Sequence, residues 1–326
     1  MRNKGFCLSF AETIIYSYYS CLKVIVTDGG LNMEDLLRPI YQERASHPDT
    51  LAVLSIEKKK ETSPQTDNFD IVMLVIIKKA KKPVFVKHYE FLDKKAALHI
   101  VTEAQLHKWI SFGANRRIID WILNGKVLFD RNEYLSKLIE RFNSFPFEER
   151  KLKIAIEFSK LIRRYLEGKA FFETKQYLDA YNHIVHALHH LARLEIIGYG
   201  FHPELTVWSQ VKQIEPQAYK LYKELIESHE DLHKRLELIF IAFDFLIRSK
   251  AEFGAAHLLD IMSEKETWLF SELMDHPEVK LYSVDLSVLL EYLVEKDIIE
   301  VNRIQTKGHG IYHREYSFKK SVDRLI

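Results

Sequence analysis

Asp67, Asn68 and Asp70 stand at the head of the apolar run DNFDIVMLVII. Carboxylates two positions apart on a strand share one side of a sheet. Such a pair suits a divalent ion that bridges triphosphate oxygens and neutralises the charge developing in phosphoryl or nucleotidyl transfer. Here the residue two before Asp70 is Asn68, which coordinates through its carbonyl oxygen but brings no charge. Asp67 faces the opposite side if the strand already runs there, and can swing in if it is still loop. Lys58, Lys59 and Lys60 precede the motif, and Lys78, Lys79, Lys81 and Lys82 follow it. They offer phosphate-seeking ammonium groups near the same edge, although lysine clusters also serve simply to solvate loops. The expected site therefore has Asp70 and Asn68 as Mg²⁺ ligands, Asp67 beside them, and Lys58, Lys59 and Lys60 against a nucleoside triphosphate. The competing reading is that the motif only begins a buried strand.

Other chemistry-bearing groups point less far. His183, His186 and His190 fall near one helix face in HIVHALHHLARL, with spacing open to a transition metal, but no acid or cysteine nearby in sequence completes a ligand set. Phe171, Phe172, Tyr177 and Tyr181 fit helical core spacing, with Tyr177 and Tyr181 the alternative walls of a base pocket. GxSxG is absent, and Cys7 and Cys21 form neither a disulfide framework nor a CxxC metal motif.

These groups need elements to position them. The 326 residues are enough for two or three domains, with 47% hydrophobic and 29% charged residues and a formal net charge of +1. With so weak an overall field, any nucleic-acid contact must come from a local patch. Residues 1–32 match neither a signal peptide nor a membrane helix, and no apolar run reaches the roughly 20 residues a span requires. MEDLLRPIYQERA, from Met33, is a natural domain start, so 1–32 is either a leader outside the native protein or an added packing element. A cytoplasmic location is the simplest reading.

Residues 33–145 alternate short helices with strands: LAVLSI, FDIVMLVII, VFVKHYEF and AALHIVTE, then AQLHKWISF, RRIIDWIL, KVLFD and a further helix. This is an α/β or α+β unit on a mixed sheet. Residues 146–250 are almost wholly helical and predict a bundle of four or five helices. YGFHPELTVWSQVKQIEP separates two of them.

Residues 251–326 predict three helices (AEFGAAHLLDIMSE, ETWLFSELMDHP and YSVDLSVLLEYLVEKDIIE) and a basic hairpin, the pattern of a winged helix. From Val301 onward stand Arg303, Lys307, Arg314, Lys319, Lys320 and Arg324, against Glu315 and Asp323. The helix before the hairpin carries Glu291 and Glu295, followed by Asp297 and Glu300. Acids on a recognition helix oppose a phosphate backbone unless they face away. The module is therefore either a protein-interaction platform or a nucleic-acid contact.

A strand, a polar loop, an acid-bearing strand, further strands, the tract IIDWILNGKVLFD and then a helical bundle resemble the nucleotidyltransferase superfamily. Over residues 33–326 the chain is most similar to the nucleotidyltransferase-like proteins of Gram-positive bacteria with a helical middle domain and a C-terminal winged helix. The resemblance implies a fold of that kind and, in active members, a Gly-Ser pair, a Ser-Asp-x-Asp motif and a third acid. At those positions this chain has Ile56 and Glu57, then Asp67, Asn68, Phe69 and Asp70, and His99 in LHIV. Three functions follow: a lapsed transferase that retains nucleotide binding, an active Mg²⁺-dependent transferase moving a nucleoside monophosphate onto a hydroxyl, and a winged-helix binding protein. A rearranged active site would draw on Asp67, Asp70, Glu90 or Glu103.

Overall fold

The computed structural model describes residues 33–58, 66–91, 94–112 and 115–318. Lys59 and Lys60, the expected leader 1–32, and Lys319, Lys320 and Arg324 lie outside them. The described chain divides into two compact units, residues 33–102 with 125–132, and residues 103–124 with 133–318.

The first unit is a mixed sheet of β1 (Thr50–Glu57), β2 (Ile71–Ile77), β3 (Val84–Phe91), β4 (Lys94–Thr102) and β5 (Lys126–Asp130), preceded by α1 (Met33–Ser46). Strand order is β3-β4-β2-β1-β5. Only β2 and β4 run parallel, with β3 turned back along the outer edge. The composition explains this placement. TLAVLSI and IVMLVII are apolar at every or nearly every position, as central strands buried on both faces must be, and all but their ends are buried. β3 alternates apolar and polar residues, and at the edge it leaves Phe85 and Val86 exposed. On one face Leu37 of α1 packs with Val53, Ile71, Met73, Val75, Ala96 and Leu98.

In the second unit, α2 (Glu103–Phe112), α3 (Arg116–Asn124) and α4 (Tyr134–Ser144) lead into α5 (Phe147–Glu173) and α6 (Tyr177–Gly198). The sequence reads as one long helical run from Glu148 to Ile197, but the chain turns back at Lys175, whose φ of 64° is left-handed. α7 (Val207–Ile214), α8 (Pro216–Glu227) and α9 (Leu232–Ser249) complete the bundle. The segment read as a separator therefore contains a helix, anchored by Trp208 stacked on Tyr222 at 3.9 Å. α9 leaves Leu238, Ile241 and Phe245 exposed at helical spacing.

The winged helix comprises α10 (Ala251–Met262), β6 (Trp268–Leu269), α11 (Phe270–Asp275), α12 (Ser283–Glu295), β7 (Ile299–Gln305) and β8 (Tyr312–Phe318), with sheet order β6-β8-β7. The stretch ETWLFSELMDHP begins as a strand rather than a helix. Trp268 and Leu269 pair with Tyr316 and Glu315, and the Leu269 amide donates to Glu272 Oε2 at 2.7 Å to open the short helix.

No break in packing marks the sequence boundary at residue 250. One core runs from Phe145 through the bundle to Tyr316, and Gly254 of α10 lies directly against the fully buried Phe158 of α5. No helix among the described residues is long and apolar enough to cross a membrane.

Candidate functional site

The acidic motif forms the turn before β2 and the first residue ahead of that strand. Phe69 N–H donates to Thr66 O at 3.0 Å, closing a turn in which Asp67 has φ 53°, a left-handed conformation that Asp tolerates. Asp67 and Asn68 are exposed on this turn and lie outside the strand.

Asp70 is fixed from both sides. It accepts Lys58 N–H at 2.9 Å and donates its own N–H to Lys95 O at 2.8 Å. Its Oδ2 accepts the Lys95 amide at 2.8 Å, so the carboxylate extends the β2–β4 ladder by one hydrogen bond. A carboxylate accepting a backbone N–H makes one of the stronger neutral-to-charged hydrogen bonds.

The surrounding charges differ from the sequence expectation. Lys78, Lys79, Lys81 and Lys82 follow the far end of the seven-residue β2. That places the first of them, Lys78, roughly 26 Å along the strand from Asp70. They do not share its edge. Among the described residues the cations at the Asp70 end are Lys58, Lys94 and Lys95; the last two join it through the parallel register of β4 and were missed because LDKKAALHI gives no sign of its pairing partner. Lys95 also pairs with Glu90 of β3. Glu90, Lys95 and Asp70 therefore sit at neighbouring positions across three strands, with the backbones of Glu90 and Asp70 about 10 Å apart.

His99 pairs with Leu74 and Val86 in the middle of β4. It lies four residues beyond Lys95, about 13 Å along the strand. The position beside Asp70 is a lysine, and His99 is too distant to complete a ligand set with it. Glu57 ends β1 opposite Ile71 and is exposed. Glu103 belongs to the other unit, where it meets His107 at 3.8 Å and, after burial, is the main cause of the raised pKa of Tyr134. Among the described residues no group of three or more His, Cys, Asp and Glu side chains is placed to hold a metal ion.

The histidine stripe on α6 has separate partners on α5. His183 Nδ1 lies 3.1 Å from Glu167 Oε2, and His190 Nδ1 lies 2.7 Å from Glu157 Oε2. His186 is exposed. Arg193 Nε donates to the same Glu157 oxygen at 2.8 Å. Burial pushes the Glu157 carboxyl up, but the His190 hydrogen bond and the Arg193 charge overcome it and hold the group at about 2. Tyr177 packs on Phe172 and His233, so the aromatic group is core rather than an open base pocket.

Among the described residues, adjoining cavities open in the helical unit. The largest, about 640 Å³, is bounded by α2, α4, the start of α5, α10 and Glu278. A second of about 40 Å³ shares Lys153 and His202 with it, and a third of about 250 Å³ shares Arg116 and His202 with the second. Lys153 Nζ sits 4.7 Å over the Phe145 ring, and burial lowers it to about 8. His202 stacks on Phe145 at 4.1 Å, and burial, with the Lys153 charge, lowers it to about 4. Neutral His202 donates Nε2–H to Phe142 O at 3.3 Å.

On the winged helix, α12 exposes Val284, Ser287, Glu291 and Glu295. Arg314 of the hairpin reaches Glu291 at 2.7 Å. At the start of α12, Arg163 of α5 pairs with the buried Asp285 and donates to Val284 O.

Comparison with known proteins agrees with this architecture. A nucleotidyltransferase-like family model matches residues 33–150, a YgxA-like substrate binding domain model matches 151–250, and a helix-turn-helix domain model matches 256–318. YgxA of Bacillus subtilis (strain 168) is 66% identical over 291 residues, covering 89% of this chain and 99% of that protein. This chain belongs to the nucleotidyltransferase-like family. The crystal structure of a nucleotidyltransferase-like protein from Exiguobacterium sibiricum 255-15 is 37% identical with a TM-score of 0.72, covering 88% of this chain and all of that one. The nucleotidyltransferase-like fold, the helical middle region and the C-terminal winged helix are thereby established.

Proposed function

We propose that this nucleotidyltransferase-like protein does not carry out metal-dependent nucleotidyl transfer and instead works as a ligand-binding protein built on the transferase fold. The observation that carries the reading is the state of Asp70, whose carboxylate serves the sheet edge through the Lys95 amide. Two-metal transfer chemistry needs clustered carboxylates to hold the ions against the triphosphate. Here Asp67 and Asn68 belong to a turn, Lys95 occupies the neighbouring position on β4, and Glu57 stands at the end of β1. This donor set does not fit Mg²⁺. Lys58, Lys94 and Lys95 would favour the phosphates of a nucleotide at the sheet edge without a metal. Similarity of residues 151–250 to a substrate binding domain supports ligand binding by the helical unit as well.

We read the winged helix as a protein-interaction module. The exposed face of α12 carries two acids and no base-reading Arg, Lys, Asn or Gln at Val284, Ser287, Glu291 and Glu295. Arg314 of the hairpin is paired with Glu291 of this face.

The test is release of pyrophosphate from ATP, CTP, GTP and UTP with and without Mg²⁺, run on the native chain and on Asp70→Asn. The expected result is no Mg²⁺-dependent release from either. Release by the native chain that disappears in the variant would overturn the proposal.

A further inference from the structure

We propose that Arg116, Lys153 and Arg193 frame an oxyanion-binding site for a small molecule bearing a phosphate or carboxylate group. The site lies wholly within the helical unit and does not depend on the sheet-edge reading above. Arg116 opens α3, Lys153 lies in the first turns of α5 and Arg193 lies near the end of α6; all three line the small cavity of about 40 Å³. Glu157 is, among the described residues, the one carboxylate on its wall, and it is already engaged by His190 and Arg193. Among the described residues neither Arg116 nor Lys153 has a hydrogen bond or ion pair; Lys153 lies over the Phe145 ring and feels the charge of Glu149, and Arg116 feels that of Glu157.

Three cations against Glu157 on the wall and Glu149 near Lys153 leave an excess of positive charge in a half-buried place. Charge of this kind is costly unless paired. The pKa values register that cost: burial, and then the Arg193 charge, lower Arg116 against the pull of Glu157, and burial lowers Lys153 against the pull of Glu149. An anion between them would relieve both. The guanidinium suits an oxyanion through paired N–H donors, and the ammonium suits it as a compact charge.

The space is graded to match. A water needs roughly 10–15 Å³ by this measure, so the small cavity has room for about three oxygen-sized groups. The rest of the ligand has somewhere to go. The cavity of about 640 Å³ adjoins through Lys153 and His202; Leu138, Phe142, Leu152 and Ile261 supply apolar wall, while Glu148, Glu149, Asp260, Glu264 and Glu278 keep the anionic group itself in the small cavity. That volume is within the range of small-molecule sites.

Calorimetric titration of the full chain with inorganic phosphate, and separately with acetate, tests the proposal. We expect saturable binding of at least one anion, the tighter of the two identifying the head group. Arg116→Gln and Lys153→Gln should each weaken it about tenfold or more, with Arg116→Lys falling between, because charge-assisted hydrogen bonds are lost. Because Lys58, Lys94 and Lys95 also favour phosphate, the titrations are run with all three replaced by Gln, a background that removes the sheet edge and should leave binding at this site unchanged. A chemical readout covers the case in which a variant fails to fold: the bound anion should slow acylation of Lys153 in the native chain, measured by peptide mass spectrometry. Absence of saturable binding, binding that survives both glutamine substitutions, or acylation of Lys153 indifferent to either anion would overturn it.

Discussion

Replacing Gly254 by alanine tests whether the winged helix and the bundle share one core. A Cβ at this position would stand 2.3, 2.4 and 2.7 Å from Phe158 Cγ, Cδ2 and Cδ1. Carbon atoms prefer about 3.5–4.0 Å, so the two helices or the ring must separate by roughly 1 Å. Phe158 is fully buried, which leaves the ring no free space to enter. Alanine in a helix interior gains about 1 kcal/mol over glycine, whereas overpacking a close-packed core costs about 1–3 kcal/mol and sometimes more. For a clash this deep the upper end applies, and the net expectation is destabilisation of about 2 kcal/mol. Urea unfolding of the whole chain, followed by far-ultraviolet circular dichroism and by tryptophan fluorescence, measures it. Phe158→Leu costs stability alone but should rescue Gly254→Ala, with a coupling energy of about 1 kcal/mol or more in the double-mutant cycle. A neutral or stabilising Gly254→Ala, or additivity with Phe158→Leu, would refute the packing argument.

The remaining predictions follow from single contacts. Arg163→Ala leaves the buried Asp285 without its charged partner and should destabilise the chain by about 3 kcal/mol in the same unfolding assay. Asp70→Asn keeps an oxygen acceptor for the Lys95 amide, so its melting temperature should stay close to native; Asp70→Ala removes the acceptor and should cost about 1 kcal/mol. His189 and His202 are held at about 4, so the folded chain binds fewer protons than the unfolded one. Their contribution is complete above the unfolded value near 6.5 and is lost as pH falls from there toward 4. Melting temperature should therefore decline between about pH 7 and pH 5, and more gently in His202→Phe, which keeps a ring on Phe145.

Much of the fold was legible because its signals are local. The apolar runs TLAVLSI and IVMLVII, the alternation of VFVKHYEF and the long helical periods all mark elements that form where the pattern puts them. What escaped depends on pairing. The break at Lys175 needs a left-handed residue that no glycine announces. Trp268 and Leu269 look helical until β8 supplies a partner strand. The site was less legible still. Asp70 reads as a metal ligand in sequence, and its use as an acceptor for Lys95 appears only when β4 is laid parallel to β2. Likewise the acids that answer the histidine stripe, Glu157 and Glu167, come from the preceding helix, and Lys153 and Arg116 converge on one cavity from helices far apart in the chain.

Binding of Mn²⁺ in the presence of ATP, followed by electron paramagnetic resonance, tests most directly whether the acidic turn holds a catalytic metal. If Asp70 serves the sheet edge, the metal will distribute as it does with ATP alone, and the native and Asp70→Asn chains will give the same spectra. A protein-bound Mn²⁺–nucleotide signal in the native chain that is absent from Asp70→Asn would contradict the account and restore the transferase.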